Sequence, residues 1–487
     1  MADFFDVVVL GDGRGDLAAL VTAALLARRG RRVLCAGFSV EERYTLGPWV
    51  LPTSPVGFVG LESPAWRRVL DELSLGATLR RRLELHRPSW QLCLPDARLD
   101  VGDELLRELS REAASEQPMI EAAMTRLGQI SGELDSILAQ DPTIPAVGFW
   151  DRRESRRESA RLPDDHGDVA AELVAASPWR ALFSLPAMFG TDLVRPGLVA
   201  SARAFELHRT VHRLDGGRRA LAAILMERVQ HHAGELNPRR PTQILTKRGR
   251  VTGVLFDGAR EPVGCDELVV ALSPDRLLPL LDGEKPPKAL VAESDRLHAK
   301  RHRYLLHLAV PVDALPDPLG RLAYSVGDSG APLEGANALR LHTTDGYGQH
   351  AVLTVEALAE DGSLAGLSSL RKGIRAHLDR LFPFLSRNLL LVHSPHDGIP
   401  PEGANIPGAP LPIQPMDEVW DDGDGERAFG ITGIGYETGL KNLTLASRQI
   451  LPGLGLEGEL TAGWIAARLV GGTDKKRVQK QSVLESG

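Results

Sequence analysis

Cysteine is scarce in this chain. Three thiols, Cys35, Cys93 and Cys265, are scattered through 487 residues. So few, so far apart, they exclude a disulfide framework and a cysteine-rich zinc site, and they suggest a reducing compartment. Long apolar runs are missing too. The longest uncharged helical stretch, Leu17–Ala27, is about half of what a bilayer span needs. The opening MADFFDVVVL has no basic segment ahead of an apolar one, so no cleavable signal is expected. There is no excess of positive charge: 57 Lys and Arg against 64 Asp and Glu leave a net charge of −7, which argues against nucleic-acid binding. No internal repeat or low-complexity tract is present. The expectation is a cytoplasmic protein, at most peripheral to a membrane.

What is present is concentrated at the start. Asp6–Leu10 is a valine-rich run of the kind buried on both faces of a parallel sheet. Gly11-Asp12-Gly13-Arg14-Gly15-Asp16 is a tight glycine turn. Leu17–Arg29 is rich in Ala and Leu, free of Gly and Pro, and closed by Gly30. Arg32–Ala36 is a second apolar run. Strand, glycine turn, helix and strand in about 30 residues predict a βαβ unit of the dinucleotide-binding type. In such a unit the helix N-terminus offers free N–H groups and partial positive charge to a pyrophosphate.

The rest of the chain alternates in character. Tyr44–Gly60, rich in Gly and Pro, reads as a packed connecting loop, and Pro64–Leu73 as a short helix. Residues 78–212 read as a largely helical insertion, with helical spacing over Asp103–Ala139 (interrupted at Pro118), Phe149–Arg161, Val169–Ala176 and Leu198–His212. The segment Asp151–Arg161, DRRESRRESAR, is a solvated helix face or a lipid or partner contact. Gly216-Gly217 open a helix, Arg218–His231. Pro241–Lys247 and Arg250–Phe256 form a hairpin turning at Arg248-Gly249, and Cys265–Leu272 is a strand. Arg303–Val312, Ala338–His342 and Ala351–Ala357 are strands of a second sheet, and Leu364–Leu381 is a helix. Ala428–Ile434 and Leu443–Ala446 are strands, Glu457–Val470 is a helix, and a frayed polar tail follows.

Three blocks of this sequence resemble the two-domain FAD flavoproteins that include phytoene desaturases and amine oxidases. They are the N-terminal βαβ, the segment Gly216–Leu281, and Asn442–Arg468, NLTLASRQILPGLGLEGELTAGWIAAR. The resemblance implies an α/β fold: a Rossmann-like FAD/NAD(P)-binding domain from 1–77, 213–285 and 425–472, and a sheet-plus-helices substrate or cap domain from 78–212 and 286–424, with 473–487 as tail. It implies FAD as cofactor, held by Gly11, Gly13, Arg14, Gly15, Gly453 and Gly455. It implies an oxidoreductase taking hydride from an apolar, isoprenoid- or lipid-like substrate. Thr45–Leu61 and Ser177–Gly190 are candidate walls of a greasy channel, or else ordinary core.

Several positions depart from that pattern. Asp16 stands where the third glycine belongs. No carboxylate follows the second strand at Ala36; Glu41 and Glu42 come late. Pro241 lacks an N–H near the adenine position, and Ala446-Ser447-Arg448 replaces a glycine followed by an acidic or small residue. A carboxylate about 5 Å from a phosphate charge costs roughly 3 kcal/mol at an effective dielectric near 20. Arg14 in the same turn offsets it if it faces the crevice while Asp16 turns away or caps the helix. The departures leave a second reading open, a non-catalytic scaffold that has lost or weakened FAD binding. Other candidates are weaker. His208 and His212 share zinc-like spacing, with no third ligand. His393 and His396 sit in a turn or touch substrate. Gly327-Asp328-Ser329-Gly330 reads as a turn. Tyr304, Tyr324, Tyr347 and Tyr436 are candidate pocket residues or plain packing. No acid or base is singled out as catalytic.

Overall fold

Phe4–Leu10 (β1) and Val33–Ala36 (β2) pair in parallel, Val7 opposite Val33 and Leu10 opposite Ala36. The helix between them, Leu17–Arg28, is buried at every position from Leu17 to Ala27. It is apolar all round because it is covered on two sides, by this sheet and by the C-terminal helix Gly455–Glu485. The computed structural model describes residues 3–11, 13, 16–38, 43–52, 58–163, 177–282, 285–317, 319–403, 411–421 and 428–485, the last thirteen as backbone.

The strands that follow are Arg43–Leu46 (β3), Trp49–Pro52 (β4), Phe58–Val59 (β5), Leu83–Leu85 (β6), Trp90–Cys93 (β7), Arg98–Val101 (β8), Val211–Leu214 (β9), Glu235–Asn237 (β10), Pro241–Lys247 (β11), Arg250–Phe256 (β12) and Val263–Val270 (β13). Then come His298–Pro311 (β14), Leu322–Val326 (β15), Ala338–Asp345 (β16), His350–Ala359 (β17), Leu391–His393 (β18), Asp417–Asp421 (β19) and Leu443–Leu445 (β20). One sheet runs β10-β2-β1-β13-β12-β11, with β20 also on β13; its β10, β2, β1, β13 and β20 are parallel. The second runs β18-β14-β17-β16-β15-β7-β8, with β19 on β14. The fold is α/β, a Rossmann-like sheet with helices beside a second sheet. The first and last blocks of the chain meet in the first sheet and its covering helices.

The expected hairpin β11–β12 forms, and Arg248 and Gly249 both take positive φ at its turn (55° and 71°). That is the geometry a two-residue hairpin favours. Other expectations are corrected. Tyr44–Gly60 is not one connecting loop: β3 and β4 make a hairpin whose Leu46, Trp49 and Leu51 pack on Ala309, Val352 and Leu391 of the second sheet. Residues 78–212 are not mainly helical at their ends; β6, β7 and β8 open the region and β9 closes it. All four residues of β7 are buried, so the polar/apolar alternation that marks a half-exposed strand is absent. The helix from Leu198 stops at His208, and His212 lies on β9, so the two histidines share no helix face. Val169–Ala176 lies outside the described residues.

Ala428–Ile434 is no strand. Ala428–Gly430 is a 3-10 turn with Phe429 at φ +57°, and the buried Phe429, Ile431 and Ile434 fill space beneath the Pro452 turn. The tail stays helical to Glu485 because no proline follows Gly471-Gly472 and the segment is rich in helix formers.

Gly463 sets how closely the first and last helices approach. A Cβ there would lie 2.4 Å from the Ala18 carbonyl oxygen, and Thr22 Oγ1 donates to the Gly463 carbonyl at 3.0 Å. Gly463→Val should destabilise the protein by about 2–4 kcal/mol through overpacking against backbone, read as a lower midpoint in urea unfolding.

Candidate functional site

In an open parallel sheet the ligand crevice lies outside the carboxyl ends of the strands. Here the chain leaves β1 at Gly11, whose N–H donates to the Ala36 carbonyl at 2.8 Å. Gly13 and Gly37 take φ of +80° and +76°, and a Cβ on Gly37 would stand 2.8 Å from the Gly11 oxygen. Only glycine permits that approach. A crevice of about 770 Å³ opens here and runs to the second sheet. Gly11, Gly13, Gly37 and Gly455 line one side; Tyr44, His393, His396 and Gln414 line the other. Gly453 is buried behind the wall, where a Cβ would lie 2.7 Å from Ile431 Cα. Arg14 and Gly15 lie outside the described residues, as do Glu41 and Glu42.

One donor that a pyrophosphate would use is already bonded. The N–H of Leu17, first in the helix, donates to Glu459 Oε2 at 3.2 Å. Glu459 is 1% exposed, and Arg218 holds both of its oxygens. Burial raises the Glu459 carboxyl, and the Arg218 guanidinium opposes that rise. The Phe38 ring closes over Gly11, where a Cβ would be 2.5 Å from it. No described carboxylate follows β2. Asp16 occupies the N-cap position without a capping bond from its side chain. It is buried and turned from the main crevice into a chamber of about 30 Å³, where it faces Arg448. Glu459 takes up both the Leu17 N–H and the Arg218 fork, two donors that a phosphate at this helix end would use. Among the described residues this arrangement leaves FAD neither the Leu17 N–H nor a carboxylate at the end of β2.

No protein-family model matches the chain, and no curated protein does. Solved structures do. They include an oxidoreductase from Methanosarcina mazei, with TM-score 0.61, 12% identity, and 95% of this chain and 99% of that one covered. A putrescine oxidase mutant made in a redesign of cofactor binding has TM-score 0.58 and 13% identity over 97% and 99% of the two chains. Cyclohexylamine oxidase from Brevibacterium oxydans IH-35A has TM-score 0.55 and 12% identity over 97% and 99%. The chain shares its fold with these proteins. At these identities the likeness is one of fold.

The crevice of this fold carries its own polar network. Arg448, just past β20, pairs with Asp192 at 3.2 Å, and Arg303 on β14 pairs with the same carboxylate at 3.3 Å. Arg303 also pairs with Glu356 on β17 at 2.7 Å, and Arg340 on β16 bonds the other Glu356 oxygen through Nε at 2.9 Å. Both Arg303 and Arg340 donate to the Phe189 carbonyl at 3.1 Å. This chain of charges ties the nucleotide-type sheet to the second sheet. Beyond it, Tyr44 Oη and His393 Nδ1 are 2.8 Å apart, and His396 Nδ1 meets the Gln414 carbonyl at 2.9 Å. Burial pushes His393 down to about 4, so its ring is neutral at pH 7.

Of the other expected residues, His393 and His396 line the crevice. His208 lines it too, with Nδ1 2.6 Å from the Ala204 carbonyl. Gly327–Gly330 is a turn in which Gly330 N–H donates to Asp328 Oδ1 at 2.8 Å. Tyr304, Tyr324 and Tyr436 are buried in core, Tyr347 is exposed, and the crevice tyrosine is Tyr44. Of Ser177–Gly190, only Phe189 and Gly190 reach the crevice; Phe183, Leu185 and Ala187 are core. Glu459, Arg218, Asp192 and the Arg303–Glu356–Arg340 group were missed. The only signal for Glu459 was a second acidic residue, two after Glu457, in an otherwise small and apolar helix start, LEGELTAG.

Two outcomes follow. Glu459→Ala and Arg218→Ala should each destabilise by about 3–5 kcal/mol, since each strands a buried charge. The double variant should cost clearly less than their sum in a denaturation cycle. The pH dependence follows from burial, which pushes His208 down to about 4 and His307 to about 3, from 6.5. The unfolded chain then takes up protons first as pH falls. Their stabilisation is full above pH 6.5 and is lost as pH falls from there toward their folded values, by up to about 2.7 kcal/mol per unit for the pair. Urea unfolding between pH 7 and about 5 should show this loss, with a shallower slope in His307→Asn.

Proposed function

We propose that this protein is a binding protein on an oxidoreductase fold, taking a small anionic ligand in the crevice between its sheets without holding FAD. The observation that carries the reading is Glu459, whose carboxylate, gripped by Arg218, occupies the helix N-terminus meant for a pyrophosphate. The lining favours an anion: among the described residues it has seven arginines against four carboxylates, and Arg240 stands exposed at its rim. Apolar side chains, among them Val59, Phe189, Leu272, Leu280, Leu305 and Leu456, share the lining with them. Arg219, Arg240 and Arg276 add positive charge to the lining beyond the Arg218–Glu459 pair. The neutral His393 and Tyr44 supply hydrogen bonds on the side opposite the glycines.

A flavin-dependent oxidoreductase is the second reading. Five glycines along a crevice of about 770 Å³, and oxidases among the fold neighbours, favour it. The residues would then have to release Glu459 from Leu17.

Absorption of the purified full-length protein near 450 nm, together with calorimetric titration of FAD, ADP and citrate, separates the two. Expected are no flavin band, no FAD binding by the wild type, and binding of ADP or citrate that weakens in Arg240→Ala. Glu459→Ala should gain FAD affinity by roughly ten-fold or more, because Leu17 N–H and Arg218 become available to phosphate. Stoichiometric FAD in the wild type would overturn the binding-protein reading.

A further inference from the structure

The helix Phe149–Ser159 contributes nothing to the core: none of its residues is buried. Its first two residues are adjacent aromatics, Phe149 at 73% and Trp150 at 72% exposure, in edge-to-face contact at 5.4 Å. An adjacent, contiguous pair of exposed aromatics is the kind of patch that marks an interaction surface. No residue of this helix lines the crevice, so whatever it serves is independent of the ligand reading above.

The charges on this helix are sorted by face. At 100° per residue, Phe149, Trp150, Arg152, Arg153, Arg156 and Arg157 fall within about 160° of its circumference. Asp151, Glu154 and Glu158 fall on the remaining arc. Asp151 and Glu158 are engaged locally: Asp151 accepts from the Gly148 N–H at 3.2 Å, and Glu158 pairs with Arg161 at 2.6 Å. The four arginines of the outer face are exposed and make no ion pair among the described residues. An alternating-sign segment in the sequence is thus a cationic, aromatic-edged face in three dimensions.

We infer that this face docks on an anionic phospholipid surface. Trp and Phe sit at headgroup depth, where an apolar ring has a wet edge, and arginines above them meet lipid phosphates. A polar helix with two aromatics at one end lies on a bilayer and does not cross it. Among the described residues no helix is long and apolar enough to span one. Anionic lipid is favoured over a protein groove because the aromatics are only two, at the helix end, while the cations run its length.

The test is cosedimentation of the full-length protein with vesicles of phosphatidylcholine alone and of phosphatidylcholine mixed with phosphatidylserine. Binding to the mixed vesicles is expected, weakening as salt rises from about 0.1 to 0.5 M. Arg153→Glu/Arg157→Glu and Phe149→Ala/Trp150→Ala should each bind roughly ten-fold or more weakly, with circular dichroism and melting unchanged because the sites are exposed. The inference falls if the folded wild type stays in the supernatant at low salt, or if the charge-reversed form binds as well as wild type. It falls also if the protein is held by immobilised polyglutamate but not by vesicles, which would assign the face to an acidic protein.

Discussion

One buried contact organises the site: the Glu459 carboxylate between the Leu17 N–H and the Arg218 guanidinium. A helix N-terminus carries unsatisfied donors and about half a positive charge, and something must answer both. In a dinucleotide-binding βαβ unit the answer comes from a ligand. Here it comes from residue 459 of the same chain, on the helix that packs across the first one. The consequence is that the two helices can close on each other without a ligand between them. Gly463 beside Ala18 and Thr22 shows how close that packing is.

The second constraint is the line of alternating charge from Arg448 through Asp192, Arg303 and Glu356 to Arg340. Buried ion pairs add little net stability, but breaking one partner is costly because the other is left in a dry site. Such a line therefore fixes geometry more than it stabilises. It holds the end of β20 against β14, β16 and β17, and so sets the width of the crevice. It also places paired charges in that crevice beside its apolar side chains. Together the two constraints describe a cleft whose charged groups are largely paired with one another.

How much of this was legible in the chain depends on the range of the interaction. The βαβ unit, the β11–β12 hairpin and the helix Leu364–Leu381 were readable because glycine turns, proline starts and apolar periodicity act within a few residues. The hairpin Arg43–Pro52 was not. Its Gly-Pro turn looks like a loop, and its strands exist because Leu46, Trp49 and Leu51 find a surface on the second sheet. Ala428–Ile434 failed in the opposite sense: strand-like composition lost to the demand for buried side chains beneath the Pro452 turn.

The sequence by itself determined the fold class, the position of the glycine turn, and the departures at Asp16 and Ala36 that put its ligand in question. Each is a local property, written in neighbouring residues. Only the tertiary structure decided the outcome. Glu459 is 442 residues from Leu17 and Arg218 is 241 from Glu459, and no spacing rule links side chains that far apart. The same holds for the face at Phe149–Arg157, whose mixed charges separate only when the chain is wound at 3.6 residues per turn and one side is turned to the protein. Local physics wrote the scaffold. Which buried charge answers which helix end is set by packing, because only packing brings the two together and removes the water between them.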